Sequence, residues 1–457
     1  MNHSKITSKS QADIQVLDQI DDFFNKFRIG TLLDRCGIRK RHGYSVRSLT
    51  KAIFALPFIG KNFFRGIVIN NNADVGKDAA YDLLKACTYN WRRFLLIIGA
   101  RLHCVFHRLT SEQRESVLII DDSPYDRSRS KKVELLSRVF DHSTGRYLRG
   151  FRLLAICWSD GVSCLPLDFA LLSSAKKKNR FHESQKSMDK RCCAFRRRAE
   201  ATTKETALLA PMVKRILRSG IHARYVLMDS WFTMPANVCA LRDHLDVIGM
   251  VKKTPKVCYE HEGKKRNLVE IYQYLTKRRG RAKILASTMV TLKDDKPAKI
   301  IFVRDRRKTD WLALLSTDTD LDDADVVRIY GKRWDIEVLF KMAKQHLKLV
   351  KEIQCRDFDM LIAHTTIVFM RYMFIAYRVR METDHRSFGE LFYACCQELD
   401  DISFVESLHR IMILAVEQLR HMGTFCEKTA MAFFDTVMAA ALKYVNLSKN
   451  RVTTANC

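Results

Sequence analysis

The sequence has 457 residues, of which 47% are hydrophobic and 28% charged, and this balance excludes a disordered or fibrous chain. With 79 Lys and Arg against 51 Asp and Glu, the net charge is +28, which favours a polyanionic partner such as nucleic acid over an anionic membrane surface. The 14 cysteines show neither CxxC nor Cys/His ligand spacing, which argues against a zinc site and a disulfide framework and favours reduced thiols.

Residues from about 12 to 115 show the apolar periodicity of helices, with Ser45 and Asp78 as expected N-caps. Basic clusters at residues 39–42 and 92–93 lie at the ends of predicted elements, as DNA-contacting residues often do, although a solvated basic face explains each cluster equally well alone. We predict a helical N-terminal DNA-binding domain over residues 1–115, and the first residues lack the apolar segment of a secretory signal.

Residues 116–251 change in character and predict the first part of an α/β catalytic core. The run SVLIIDD at 116–122 is apolar and β-branched and ends in two acids, which is typical of a buried strand. Two further apolar runs meet at Asp160 and Gly161, a strong hairpin signal. RYVLMDSWF then repeats a strand that ends in an acid, Asp229, before a helix and another strand. The sheet is therefore predicted to be mixed.

The remaining residues suggest three more regions. Residues 252–315 contain short β-like runs between charged turns and predict a β-rich insertion, and residues 316–350 return the chain to the catalytic core. Residues 351–457 predict a helical C-terminal domain, a candidate for dimerisation. Its apolar run contains His364 and Arg371, which favours burial in protein over lipid.

Within the first part of the predicted core, the basic stretch 175–198 is expected to be exposed, near phosphates.

Residues 325–349 predict one helix of about six turns with an unusual polar face. At about 100° per residue, one side of this helix carries a phenol, a guanidinium, a carboxylate and an ammonium. These groups belong to Tyr330, Arg333, Glu337 and Lys344, and Lys341 falls close to the same side. A solvated helix surface also carries such charges, so the pattern alone does not establish a site.

Three acids share a context that suggests metal binding: Asp122 and Asp229 at the ends of strands, and Glu337 on the later helix. Carboxylates held close together repel unless a cation neutralises them, and oxygen ligands suit Mg²⁺ or Mn²⁺. Two such ions support phosphoryl transfer on a phosphodiester. Taken alone, an Asp after an apolar strand is more often a turn or helix-cap residue than a metal ligand. Asp121 and Asp122 point to opposite faces of a strand, so only one should reach the metal.

These residues resemble the IS4 family of DDE transposases. The resemblance lies in IIDDS at residues 119–123, in VLMDSWF at residues 226–232, and in the spacing of the family's YREK signature, Tyr330-x2-Arg333-x3-Glu337-x6-Lys344. It covers residues from about 116 to 345. It implies an RNase H-like mixed-sheet core that is interrupted by a β-rich insertion, with helical domains on either side.

The resemblance also implies roles for single residues. Asp122, Asp229 and Glu337 would bind two divalent cations, Mg²⁺ or Mn²⁺, and the family's Asp-Ser/Thr step favours Asp122 over Asp121. Tyr330, Arg333 and Lys344 would hold the transposon-end strand, with Lys341 as a further phosphate ligand. A Trp of the insertion often stacks on a flipped base in this family, and Trp311 is the candidate, although the sequence itself favours a packed strand Trp.

The function implied is that of a DNA transposase of an insertion sequence, acting by cut-and-paste transposition. Its partners would be double-stranded DNA, as terminal inverted repeats and target, and a second copy of the chain in a synaptic complex, without a membrane. The expected location is the bacterial cytoplasm, at the nucleoid. The alternatives are an RNase H-like nuclease without strand transfer and an inactive derivative that only binds DNA.

Overall fold

The structure, a computed structural model, describes residues 11–68, 75–110, 114–142, 144–184, 188–278, 283–292, 295–305 and 310–381. The predicted C-terminal domain is therefore described only as far as Met381, and most of that prediction lies outside the described residues. The described part combines helices with a single mixed sheet, so the prediction of an α/β fold is confirmed.

The described residues form eleven strands and twelve α-helices. The strands are β1 (Val117–Asp126), β2 (Ser137–Asp141), β3 (Arg146–Ser159), β4 (Cys164–Leu172), β5 (Tyr225–Met228), β6 (Asp246–Val251), β7 (Cys258–His261), β8 (Lys264–Asn267), β9 (Ile284–Thr291), β10 (Pro297–Arg304) and β11 (Trp311–Ser316). The helices are α1 (Gln11–Lys26), α2 (Ile29–Arg35), α3 (Val46–Ala55), α4 (Lys77–Lys85), α5 (Trp91–Leu109), α6 (Cys193–Ala201), α7 (Leu209–Leu217), α8 (Pro235–Arg242), α9 (Leu268–Tyr274), α10 (Asp323–Gly331), α11 (Trp334–Gln345) and α12 (Phe358–Met381).

The centre of the sheet has the order β4–β3–β1–β5–β6. Strand β1 is antiparallel to β3 and parallel to β5, and β5 is parallel to β6. The predicted turn at Gly161 joins β3 to β4, and its φ of 86° is the left-handed conformation that glycine adopts readily. Three antiparallel strands followed by two parallel ones form the RNase H-like core that the sequence predicted.

Residues 252–315, which the sequence predicts to be a β-rich insertion and which we call the insertion, extend this sheet. Strand β11 pairs antiparallel with β6, and β10 and β9 follow in order, so the sheet continues without a break from the core into the insertion. Ile300 and Ile301 of β10 point to opposite faces of the sheet and are both fully buried, so both faces are covered here. Continuous pairing gives the core and the insertion a shared hydrogen-bonded framework.

Helices from both ends of the described chain form one layer over β4. Helix α12 packs against α3, α4, α5 and β4. It is long and apolar enough to cross a membrane, but its most apolar 18 residues are entirely buried in the protein. Arg371 within it donates to the carbonyls of Ile53 and Phe54 at the end of α3. The buried charge therefore fastens the two helical segments together.

Three local predictions were wrong. The single helix over 325–349 is two helices, α10 and α11, because Lys332 and Arg333 make tighter bonds to the carbonyls three residues earlier. Asp78 lies inside α4, whose N-cap is Gly76. The basic stretch 175–198 is only partly exposed, since Arg197 and Arg198 are buried. Ser45 does cap α3, accepting from the Ser48 N–H.

Candidate active site

The register of two parallel strands brings two acids to the same edge of the sheet. Ile120 of β1 is paired with Met228 of β5, both fully buried, and the next residues are Asp121 and Asp229. Neighbouring strands lie about 4.8 Å apart, so the residues that follow a paired position stay close. The same sequence pattern, an apolar strand ending in an acid, thus delivers two carboxyl groups to one place.

The chain after β5 fixes the side chain of Asp229. One carboxylate oxygen, Oδ1, accepts from the backbone N–H groups of Trp231 at 3.0 Å and Phe232 at 3.2 Å. This turn, in which a side chain replaces a backbone acceptor, is a common use of Asp. It orients the carboxyl group at the edge of the sheet before α8 begins.

The third acid is Glu337 of α11, which Arg333, in the turn between α10 and α11, links to this edge. Arg333 donates through Nη1 to Asp121 Oδ2 at 3.2 Å and through Nη2 to Glu337. Its guanidinium therefore joins a carboxylate of β1 to a carboxylate of α11. The Tyr330 ring lies 6.0 Å from the Arg333 Cζ atom. Burial and the charges of Asp229 and Asp121 raise the pKa of the Tyr330 phenol. Asp229, Tyr330, Arg333 and Glu337, which the sequence predicted, thus lie together at one edge of the sheet.

Asp122 makes different contacts from Asp121. Its Oδ2 forms an ion pair of 2.8 Å with Arg152 of β3, and its charge interacts with that of Glu205 and of Asp229. Trp231 donates through its indole N–H to Glu205. Sequence reasoning missed Arg152, Glu205 and Trp231. The one available signal was Arg152, a charged residue within the otherwise apolar run FRLLAICW.

Both adjacent acids resist ionisation in the folded protein. Burial raises the pKa of Asp121 to about 7, with the Asp229 charge adding to the rise and Arg333 opposing it. Burial also raises the pKa of Asp122 to about 6, against the opposing effect of Arg152. Acids that are buried beside like charges, and only partly neutralised by arginine, are typical of functional sites.

The two predicted lysines differ in environment. Lys344 donates to Ser123 Oγ at 2.6 Å, and burial lowers its pKa although acids on β1 and β2 oppose the effect. Lys344 therefore reaches the strand that carries Asp121 and Asp122. Lys341 is exposed on α11.

Trp311 lies at the start of β11 and is packed within the insertion. Tyr272 stacks on its ring at 4.7 Å, Phe302 contacts it edge-on at 5.0 Å, and Lys253 Nζ lies 3.7 Å from its centroid. A base could stack on this indole only if these contacts changed. The stacking role stays a prediction, and the contacts seen here favour packing.

The donor chemistry of the acidic edge fits Mg²⁺ or Mn²⁺, because Asp121, Asp229 and Glu337 offer only oxygen atoms. In the described part of the chain, no three His, Cys, Asp or Glu side chains are placed close enough to hold an ion as they stand. At this edge Arg333 forms ion pairs with both Asp121 and Glu337, and so neutralises part of the charge that a cation would neutralise.

The sequence resembles a known protein family. The sequence matches the family described as DDE superfamily endonuclease over residues 66–306, which is 306 − 66 + 1 = 241 of 457 residues. No curated protein matches the chain significantly. The matched range includes the strands that carry Asp121, Asp122 and Asp229 and ends before α11. The match supports a nuclease or transposase type of function on DNA, and divalent metal ions are general cofactors of such enzymes. The chain belongs to the family of DDE superfamily endonucleases.

Proposed function

We propose that this protein is an IS4-type DNA transposase, which cuts transposon ends and joins them to target DNA. The observation that carries the proposal is the Arg333 bridge between Asp121 and Glu337, at the sheet edge that also holds Asp229. The bridge lies within the YREK spacing, beside Tyr330. The net charge of +28 suits a protein that binds double-stranded DNA.

Asp121, Asp229 and Glu337 are the proposed ligands of two divalent cations. We prefer Asp121 to Asp122 because Asp121 and Asp229 each directly follow the last paired residues of β1 and β5, and because Asp121 shares the Arg333 guanidinium with Glu337. Asp122, in contrast, is paired with Arg152 on the neighbouring strand. When bound, Mg²⁺ or Mn²⁺ supplies charge stabilisation for the attacking and leaving oxygens of phosphoryl transfer.

The basic and phenolic residues around the acids would hold the DNA strand. Arg333 offers a planar fork of donors that matches a phosphate, and Lys344 offers a compact ammonium close to β1. Tyr330 would orient the strand end through its phenol, and Lys341 would add an exposed positive charge. These residues position the phosphodiester against the acids and exclude water from one side of it.

The assembly belongs to the same proposal. Transposon ends carried as terminal inverted repeats must be held together before joining, so we propose that two copies of the chain act in a synaptic complex on DNA. Size-exclusion chromatography with light scattering, with and without an end duplex, would measure this. A complex that stays at one chain per duplex would contradict the proposed dimer.

Neutral replacements of the acids test the site. Asp121→Asn, Asp229→Asn and Glu337→Gln should each reduce cleavage of an end-containing duplex with Mg²⁺ or Mn²⁺ by about a thousandfold or more, a loss of about 4 kcal/mol in transition-state stabilisation. Asp126→Asn, on the exposed end of β1, is the matched control and should cleave normally. A gel shift in EDTA checks that each variant still binds DNA.

The adjacent pair of acids decides the first ligand. Asp122→Asn should reduce cleavage less than Asp121→Asn, because Asp122 acts through Arg152. The opposite order would assign the first ligand to Asp122, as the sequence motif favours.

Strand transfer separates a transposase from a nuclease. Pre-cut ends that carry a 3′-hydroxyl should be joined to a supercoiled target plasmid in the presence of Mg²⁺. Cleavage without any joined product would assign the chain as a DNA nuclease, and binding without cleavage would assign it as an inactive derivative.

A further inference from the structure

A line of neighbouring rings and cations runs from the β2–β3 hairpin to the acidic edge. We call it the aromatic strip, and it consists of Arg138, Phe140, His142, Tyr147 and Trp231. Arg138 Cζ lies 3.9 Å from the Tyr147 ring, Tyr147 lies 5.0 Å from Phe140, and Phe140 lies 4.9 Å from His142. His142 lies 6.3 Å from Trp231, which completes a continuous path of neighbouring side chains.

The pairing of β2 with β3 explains why these side chains are together. Phe140 is paired with Tyr147 and Arg138 with Arg149, and directly opposed residues lie on the same face of a sheet. Arg149 Cζ in turn lies 5.0 Å from the ring of Phe181. The hairpin therefore presents alternating rings and guanidinium groups on one face.

The strip is open to solvent and positively charged. Tyr147 is 59% exposed and Trp231 is 43% exposed. Lys252 Nζ lies 5.8 Å from the Trp231 ring and adds a third cation to Arg138 and Arg149. Phe140, between the Tyr147 and Trp231 rings, is half-buried. Single exposed rings are ordinary on protein surfaces, but a continuous row of rings and cations with exposed rings at both ends indicates a binding surface.

The strip is connected to the acids at two points. The backbone N–H of Trp231 donates to Asp229 at 3.0 Å, and Arg152 bonds both to Asp122 and to the Phe140 carbonyl. A strand bound along the strip would therefore lead directly to the acidic edge.

We propose that the aromatic strip binds unpaired DNA bases of the strand that adjoins the bond to be cut. The inference rests on the proposed cutting of DNA at the acidic edge. Rings stack on the faces of unpaired bases, and interleaved arginines add cation–π contacts and neutralise phosphates, which is the chemistry of single-strand binding. An intact duplex hides its base faces and would use the cations alone.

Binding in EDTA tests the strip without requiring cleavage. Fluorescence anisotropy compares a labelled single-stranded oligonucleotide with its blunt duplex. Tyr147→Ala and Trp231→Ala should each weaken single-strand binding about tenfold and duplex binding less than about twofold. Tyr147→Phe keeps the ring and should bind as the wild type does.

A matched control lies in the insertion. Tyr274 is 60% exposed and Arg266 Cζ lies 4.3 Å from its ring, so Tyr274→Ala removes a similar ring–cation pair away from the acidic edge. It should leave both affinities unchanged, and circular dichroism melting checks the fold of each variant.

Two results would overturn the inference: unchanged single-strand affinity in Tyr147→Ala and Trp231→Ala, or equal losses for both forms of DNA. The proposed function is judged separately, by cleavage with metal. If the variants lose single-strand affinity selectively but the wild type cleaves no DNA, the strip proposal stands and the proposed cleavage function is rejected. If the wild type cleaves DNA but the variants bind single strands normally, the cleavage function stands and the strip proposal is rejected.

Discussion

Two buried groups of charged residues contain acids whose pKa values shift in opposite directions. At the acidic edge, burial raises the pKa of Asp121 to about 7. Beneath α12, Glu352 is also buried, and burial alone would raise its pKa, yet the charge and hydrogen bonds of Arg371 and the hydrogen bond of His364 hold it at about 2. The two carboxyl groups have the same chemistry, so their neighbours must account for the difference.

The two acids differ in how many positively charged or hydrogen-bonding groups neutralise them. Glu352 accepts from Arg371 at 2.6 and 2.9 Å and contacts His364 at 2.6 Å, and Arg371 also donates to backbone carbonyls. At the acidic edge, Arg333 serves both Asp121 and Glu337. A complete network supports the fold, whereas a network with excess negative charge is suited to receive a cation.

The largest effect on stability is expected at Glu352. Glu352→Gln removes the charge that compensates the fully buried Arg371, so the free energy of unfolding should fall by about 3–5 kcal/mol. Urea denaturation near pH 7.5 measures the change. Glu262→Gln is the matched control, since Glu262 is 55% exposed in its pair with Arg266 and should cost less than about 1 kcal/mol. Equal losses in both variants would contradict the contrast.

The second effect is the pH dependence of that loss. The pKa of Glu352 is lower in the folded protein, about 2 against an ordinary 4.5, so its contribution is present above about pH 4.5 and is lost as the pH falls towards 2. Burial also lowers the pKa of His364, which adds instability below about pH 6.5 in the wild type. The difference in the free energy of unfolding between the wild type and Glu352→Gln should therefore shrink by about 1 kcal/mol between pH 6 and pH 3.5, as the lowered pKa of Glu352 requires. A constant gap in urea unfolding would show that Glu352 is not held ionised.

The third effect is stabilisation by divalent cations at the acidic edge. Mn²⁺ at a hundredfold excess over its dissociation constant should raise the free energy of unfolding by about 2–3 kcal/mol. Thermal melting with Mn²⁺ and with EDTA measures this shift. Asp229→Asn should remove most of the shift, while Glu352→Gln should keep it despite its lower melting temperature. A shift of the same size in Asp229→Asn would place the cation elsewhere.

The sequence predicts the fold well where local patterns decide it. Apolar runs that end in acids identified β1 and β5, and Asp160 with Gly161 identified the β3–β4 turn, because strand periodicity and turn chemistry are local properties. The break between α10 and α11 was missed, since three-residue hydrogen bonds leave no clear mark in a pattern of apolar residues.

The candidate site was less predictable, because it depends on contacts between distant residues. Glu205 follows Asp122 by 205 − 122 = 83 residues, and only the folded chain brings their charges together. Strand alternation separates Asp121 from Asp122, but the register with β5 is needed to see which of them lies level with Asp229. Arg371 was recognised as unsuited to lipid, while its partner Glu352 was not foreseen.

The smallest change in the free energy of unfolding is expected for Asp121→Asn. This variant should be slightly more stable than the wild type, whereas Glu352→Gln should be less stable. The pKa of Asp121 is raised in the folded protein, from 3.8 to about 7, so any stability that this group contributes is present at low pH and lost as the pH rises through 7. At pH 8 in EDTA, Asp121→Asn removes the cost of a buried charge, and the amide oxygen can still accept from Arg333. In urea unfolding, the free energy of unfolding of the variant should equal that of the wild type or exceed it by up to about 1 kcal/mol. The variant should not cleave DNA. A loss of 3 kcal/mol or more would mean that the acidic edge supports the fold as the Glu352 network does.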